Sequence, residues 1–330
     1  MRLGFCLSAE QFSPTQLIEQ AKGAEKAGFV GLMISDHLQP WVPWQGQASH
    51  AWTMLGALSQ HTSLPLSTGV SCAGGRCHPV ILAQAAATLE CLCPGRITLG
   101  LGIGEALNEH VFASYWPEPK ERVQQLLEAV SLITKLWSGQ EVRFKGEYFK
   151  TESLRLYTLP EVPPRLMIAT SGPYLCAKAA SLAQTWLTVW AGREKLQKLI
   201  GKFRENSGST KKTARLQLHV SWDLTQERAL AAAMQEWPNG GLNFPKGDVR
   251  FPEVLAEMAK MVQPENFTDR VLIASTPASI LAVLQESAAL GFDEIYIHNC
   301  GRNQSEFLQM CAQELIPAWK NTEQVVDRLY

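Results

Sequence analysis

Four groups of residues in this sequence could do chemistry, and each follows a short apolar run. The first is Ser35-Asp36-His37-Leu38-Gln39-Pro40-Trp41. A histidine there can give or take a proton near neutral pH. Asp36 could orient it, and Trp41 could stack on a flat ring. The second is Gly100-Leu101-Gly102-Ile103-Gly104-Glu105-Ala106-Leu107-Asn108-Glu109-His110. Its small residues would let backbone N–H groups approach a phosphate, and Glu105 could act as an acid or a base. The third is Ser67-Thr68-Gly69-Val70-Ser71-Cys72 with Arg76-Cys77-His78-Pro79. The fourth, Thr170-Ser171-Gly172-Pro173, offers a second phosphate nest, because Pro173 suits a helix's first turn and leaves free N–H groups beside Gly172. Taken singly, each group also reads as a helix cap, a packed side chain or an ordinary tight turn.

The elements that carry these groups decide between the readings. Strand-like runs at 3–7, 30–34, 66–70, 97–101, 166–169, 186–190, 216–222 and 294–298 alternate with helical periodicity at 14–27, 52–61, 79–92, 119–137, 174–183, 194–206, 226–236 and 305–315. Pro14, Pro79 and Pro119 open three of those helices, and Gly28 and Gly139 follow the ends of two. Eight βα units predict an α/β (β/α)8 TIM barrel, a single domain over 1–330. The rhythm breaks twice. Residues 140–158 read as a hairpin insertion. Residues 238–264 read as an insertion after the seventh strand, with turns at Pro238-Asn239-Gly240-Gly241 and Pro245-Lys246-Gly247-Asp248 and a helical piece at 252–261. The open doubly wound sheet is the rival architecture, but no Gly-x-Gly-x-x-Gly follows the first strand. In a barrel all four groups fall at the carboxyl ends of strands, the end where barrel active sites form.

Composition narrows the function classes. Thirty basic and 31 acidic residues leave a formal charge of −1, giving no electrostatic case for nucleic acid or an anionic membrane. No apolar run reaches the roughly 18–20 residues of a membrane span. Met1-Arg2-Leu3-Gly4-Phe5 enters a strand without signal-peptide features, so a cytoplasmic location is expected. The eight cysteines are irregularly spaced with no paired CxxC, so free thiols are expected and no metal site.

Together, Ser35-Asp36-His37-x-Gln39-Pro40-Trp41, Pro94-Gly95-Arg96 and Gly104-Glu105-Ala106-Leu107-Asn108-Glu109 resemble the luciferase-like flavin and deazaflavin oxidoreductases, in the branch of the F420-dependent glucose-6-phosphate dehydrogenases. Ser8-Ala9-Glu10-Gln11-Phe12 and Trp137-Ser138-Gly139 belong to the same pattern, and the similarity runs over nearly the whole chain. The resemblance implies that His37 contacts or protonates the reacting ring region, that Trp41 flanks the substrate and that Glu105 is the acid. Asp36 would contact the ring or position His37. Gly69-Val70 would form a non-proline cis peptide against the ring. Gly104, Glu105, Ala106, Leu107 and Asn108, with Ser171 and Gly172, would hold the cofactor phosphate. Relatives are commonly dimers, so a homodimer is expected, with a small molecule as substrate.

The chain departs from the sugar-phosphate enzymes of that branch, which resemble one another in lysines that grip the substrate phosphate. Here Thr188-Val189-Trp190-Ala191-Gly192-Arg193 has no lysine, and Asp269 precedes Arg270 where a lysine is expected. An apolar or aromatic substrate lying on Trp190 fits better. These replacements, with Gln217-Leu218-His219-Val220-Ser221 and His298-Asn299-Cys300-Gly301, resemble a sub-branch thought to have returned from F420 to FMN. F420 carries an acidic tail for which Arg76 and Lys120 are the candidate partners, whereas FMN needs only the two nests. The expectation is therefore an FMN-dependent oxidoreductase, with oxygen as a candidate co-substrate as in a monooxygenase. The alternatives are an F420-dependent alcohol or sugar dehydrogenase and a non-catalytic flavin-binding barrel.

Overall fold

Residues 2–7 alternate between a barrel interior and a helical shell, and that alternation recurs round the molecule. The computed structural model describes residues 1–112, 115–244 and 246–327, with side chains to 322. Its strands are β1 (Arg2–Leu7), β2 (Leu32–Ile34), β3 (Leu66–Thr68), β4 (Ser71–Cys72), β5 (Ile97–Gly102), β6 (Arg165–Ala169), β7 (Thr185–Val189), β8 (Thr213–Trp222), β9 (Val271–Ala274) and β10 (Glu294–Asn299). All the strand pairs are parallel, in the order β10-β1-β2-β3-β5-β6-β7-β8, and β10 pairs again with β8, which closes the barrel. The expected eight strands are thus present. The second starts at Leu32, and the third is split into β3 and β4 by Gly69 and Val70.

The helices follow their punctuation. Those named below are α1 (Pro14–Ala27), α2 (Ala51–His61), α3 (Pro79–Leu92), α4 (Ala106–Glu109), α5 (Pro119–Trp137), α6 (Pro173–Leu182), α7 (Arg193–Asn206), α8 (Gln226–Glu236), α9 (Pro252–Ala259) and α10 (Pro277–Leu290). Ser13 and Gln16 form a capping box at the start of α1, and Gly28 ends it with φ +99°. The hairpin expected at 140–158 is reduced to two antiparallel bridges, Val142 with Leu154 and Lys145 with Lys150. In the stretch 238–264, α9 supplies the expected helical piece; Pro245 of its second turn lies outside the described residues. Strand β9 and helix α10 were not expected as elements. Strand β9 lies along the far half of β8, pairing Val271 with His219 through Ala274 with Trp222.

The barrel floor is filled by one polar group. Arg215 donates to Glu294 at 2.7 Å and to Ser67 at 3.0 Å, and its guanidinium lies 4.0 Å from the centre of the Tyr296 ring. Arg2 donates to the same Glu294 carboxylate. Glycines at 4 and 31 make room for that ring: a Cβ on Gly4 would come within 2.5 Å of it. Above the floor, Cys6, Met33, Met167 and Leu187 fill the interior and support the mouth.

Candidate active site

The mouth holds a cavity of about 330 Å³. Its walls include Glu10, Asp36, His37, Trp41, Gly69, Val70, Gly104, Glu105, Asn108, Ser171, His219, Trp237 and His298. Residues on or just after seven different strands, β1, β2, β3, β5, β6, β8 and β10, therefore meet in one place, as barrel geometry requires.

The Gly69–Val70 peptide is cis, as the resemblance implies. Strand β5 is shaped around it. A Cβ on Gly102 would fall 2.6 Å from Val70, and one on Gly100 would fall 2.2 Å from the Thr68 carbonyl oxygen. The glycines read as phosphate ligands thus also clear a path for the interrupted strand beside them.

His37 is placed between two carboxylates. Its Nε2 lies 3.5 Å from Glu10 Oε1 and 3.7 Å from Glu105 Oε2. The other ring nitrogen, Nδ1, faces the Gln39 carbonyl at 3.2 Å. Donation to that carbonyl puts the proton on Nδ1 and leaves the Nε2 lone pair for the cavity. Glu10 is fixed in turn by the hydroxyls of Ser8 and Ser35, which both donate to its Oε2. Glu105 Oε2 is buried with no hydrogen-bond partner among the described residues. Burial pushes the Glu105 carboxyl above its usual range, against the pull of His37 and Lys246.

Asp36 does not position His37. Its carboxylate instead accepts from Ser71 and, at 2.8 Å, from Arg76. Arg76 also donates to Glu109 at 3.3 Å. Burial opposes its charge, but Asp36 and Glu109 hold the guanidinium more firmly protonated than usual. Arg76 is thereby committed inside the protein rather than free for an acidic tail, while Lys120 is exposed. The backbone beside His37 is braced instead by Asn108, whose Oδ1 accepts from the Leu38 N–H at 2.9 Å. Gln39 completes the brace by donating to the Leu107 carbonyl at 2.7 Å.

The remaining expected ligands divide. Gly104, with φ +75°, and Glu105 line the cavity. The side chains of Ala106 and Leu107 are buried, so main-chain N–H groups are all they can offer a phosphate. Ser171 lines the wall, but the Gly172 N–H donates to Thr170 Oγ1 at 3.0 Å, which removes the first donor of that nest. Trp190 is corrected. Leu187, Thr188 and Val189 of β7 line the cavity, whereas Trp190, just past the strand, is not among its lining residues and packs against the main core.

Trp237 supplies the aromatic wall instead. Its ring lies 6.4 Å from Trp41, 5.3 Å from His219 and 4.5 Å from His298. Trp41 is tilted on His37 at 4.9 Å. Lys246, from the insertion, stands 5.9 Å from the Trp41 ring centre and donates to the Asn239 carbonyl. Burial lowers its pKa to about 8, although Glu105 resists the change. Glu10, Trp237 and Lys246 were not singled out in sequence. Glu10 stood inside the recognised Ser8–Phe12 run, but nothing local marks the other two.

The wall suits a flat redox ring. The cis peptide and the glycines leave a Cβ-free face, the Glu105 oxygen awaits a partner, and His37 and Trp41 stand across from them. Such a wall, at the carboxyl end of a closed parallel barrel, defines an α/β-barrel of the redox type.

Known proteins agree and give the family. The family model described as luciferase-like monooxygenase matches residues 1–294. The chain is 33% identical to the F420-dependent glucose-6-phosphate dehydrogenase of Beutenbergia cavernae, covering 99% of each. It is 34% identical to the enzyme of the same name from Nakamurella multipartita, covering 96% of each. Among solved structures, an F420-dependent secondary alcohol dehydrogenase in complex with an F420-acetone adduct superposes with a TM-score of 0.91 at 28% identity, over 96% of this chain and 98% of that one. The chain belongs to the luciferase-like monooxygenase family and is an oxidoreductase.

Proposed function

We propose that the protein is a deazaflavin-dependent dehydrogenase that moves a hydride between coenzyme F420 and an uncharged alcohol or carbonyl compound. The observation that carries this reading is His37 Nε2, held between the carboxyls of Glu10 and Glu105 in the cavity that also holds the cis peptide. The expectation of FMN draws no support from the similar proteins described above, which are named as F420-dependent.

Bound against Gly69 and Val70, the deazaflavin would supply a two-electron hydride acceptor or donor. The chain supplies the protons. In the oxidation of an alcohol, His37 Nε2 would take the hydroxyl proton. Glu10 would then face the imidazolium, a stabilising arrangement at low dielectric. Glu105, whose carboxyl burial shifts toward the protonated form, can release a proton inside the cavity. Trp41 and Trp237 exclude water on the substrate side.

Glucose 6-phosphate fits poorly. Arg193 is paired with Glu286 at 3.3 Å, and Arg270 is engaged by the Leu242 carbonyl at 3.1 Å and by Asn243. Asp269 is exposed and would repel a phosphate. Titration of the purified protein with F420 and with FMN, followed by assays with secondary alcohols and glucose 6-phosphate, tests the reading. We expect micromolar binding of F420, bleaching of its visible band by a secondary alcohol, and no turnover of the sugar phosphate. Tight FMN binding without F420 binding would overturn it.

A further inference from the structure

The wall opposite His37 contains a second imidazole group that the hydride chemistry does not use. His219 on β8 and His298 on β10 are register partners, and their Nδ1 atoms lie 2.9 Å apart. Both face the cavity wall. One proton is shared between those two nitrogens, so the rings hold complementary tautomers. Two arrangements exist. If His219 donates, His298 must carry its other proton on Nε2, which is buried and has no partner among the described residues. If His298 donates, that buried atom is a bare nitrogen, and His219 carries its proton on Nε2. Buried orphan N–H donors are rarer than under-satisfied acceptors, which favours the second arrangement.

Cys300 favours it too. Its sulfur lies 3.7 Å from His298 Nδ1 and 4.0 Å from the His298 carbonyl oxygen. Burial holds the thiol well above its usual pKa, so it stays protonated. The S–H then points to the carbonyl and the sulfur lone pairs face an Nδ1–H on His298. A metal ion suits these three residues poorly. The facing Nδ1 atoms are already hydrogen-bonded to each other, and His298 Nε2 lacks, among the described residues, the outer partner that metal-bound histidines usually have.

We infer that His219 Nε2–H is a substrate subsite: it donates a hydrogen bond to a second, uncharged oxygen of the substrate, remote from the reacting carbon, with His298 fixing the tautomer. The chain of rings sets the shape. His37, Trp41, Trp237 and His219 succeed one another at centroid separations of 4.9, 6.4 and 5.3 Å. The two indole planes cross at 72°, so an apolar ring can lie on one and meet the edge of the other, with its carbinol or carbonyl at His37 and an ether, ketone or hydroxyl oxygen at His219. Burial, with Lys246 nearby, lowers the His219 pKa to about 3, so the ring stays neutral and offers a donor rather than a positive charge. The substrate class is then a cyclic or aromatic alcohol or ketone with a second neutral acceptor.

The inference rests on the dehydrogenase reading, and two measurements separate them. In the F420-loaded enzyme, 1-(4-methoxyphenyl)ethanol should exceed 1-phenylethanol in kcat/KM by roughly five- to tenfold, mainly through KM, as one neutral hydrogen bond allows. The preference should vanish in His219→Phe and return in part in His219→Gln, which keeps an N–H donor. An equal preference in wild type and His219→Phe would overturn the inference. The second measurement needs no turnover. Nitrogen-15 spectra of histidine-labelled holoprotein should show His219 protonated at Nε2 and His298 at Nδ1, with 4-methoxyacetophenone shifting the His219 Nε2 signal and acetophenone leaving it in place. Reversed tautomers, a charged ring, stoichiometric zinc, equal shifts, or no shift with either compound would each overturn it. If neither alcohol turns over while the spectra behave as expected, the dehydrogenase reading has failed and the subsite stands.

Discussion

His37 owes its reactivity to what surrounds its two nitrogens. Nδ1 is tied to the Gln39 carbonyl, while Nε2 faces Glu10 and Glu105. Replacing His37 with Asn removes the base but keeps a polar side chain, and turnover should fall about 10²–10⁴-fold with cofactor affinity largely kept. Stopped-flow measurement of the hydride step checks this. Glu105 carries a pH signature. Its raised pKa means the carboxyl is protonated below that value and ionised above it. A step that needs its proton should therefore slow as pH rises through that pKa. Glu105→Gln, which cannot ionise, should be slower throughout and should lack that alkaline limb; a limb that persists in the variant assigns the titration to another group. His37, Trp41 and Glu105 were legible because each follows a strand's carboxyl end. Asp36 was misread as a partner of His37 because adjacency in sequence is not adjacency of side chains, and its partner Arg76 is 40 positions away.

The helices were legible because their ends are written in local chemistry. The expected spans 14–27, 79–92, 119–137 and 226–236 coincide with α1, α3, α5 and α8. Short strands are different. Strand β9 has four residues, and only its pairing with β8 defines it. Trp190 was assigned to the cavity from its place after a strand and its aromatic type, but it packs against the main core just past the end of β7. The interrupted third strand yields a prediction at this scale. Gly102 faces Val70 so closely that an added methyl must displace the Val70 side chain or the peptide before it. Gly102→Ala should cost about 1–3 kcal/mol of stability, as overpacking does. It should also weaken cofactor binding by displacing the surface the ring is proposed to lie on. Denaturant titration and an F420 binding isotherm measure the two effects, and a variant with wild-type values in both would remove Val70 from the cofactor wall.

Across the molecule, stability and chemistry lie at opposite ends of the barrel. The floor is Arg215, Glu294, Tyr296 and Ser67, joining β8, β10 and β3 where the ring of strands closes. None of the four lines the cavity. The closed ring could be anticipated from the count of βα units; the floor could not, because its members are contacts between residues as far apart as 148 positions. A buried ion pair of this kind is costly to break by halves. Arg215→Met leaves the Glu294 carboxylate with Arg2, whose side chain is 58% exposed, as its remaining cation. The loss should be about 3–5 kcal/mol. Pairing Arg215→Met with Glu294→Gln removes the stranded charge as well and should recover part of that loss, so the double variant should unfold at a higher urea concentration than the single one. Both variants, assayed well below their unfolding midpoints, should keep F420 affinity within about twofold, the change of roughly 0.4 kcal/mol expected of sites with no shared partners. A large drop in affinity with the fold intact would mean that the floor and the mouth are coupled through the barrel interior.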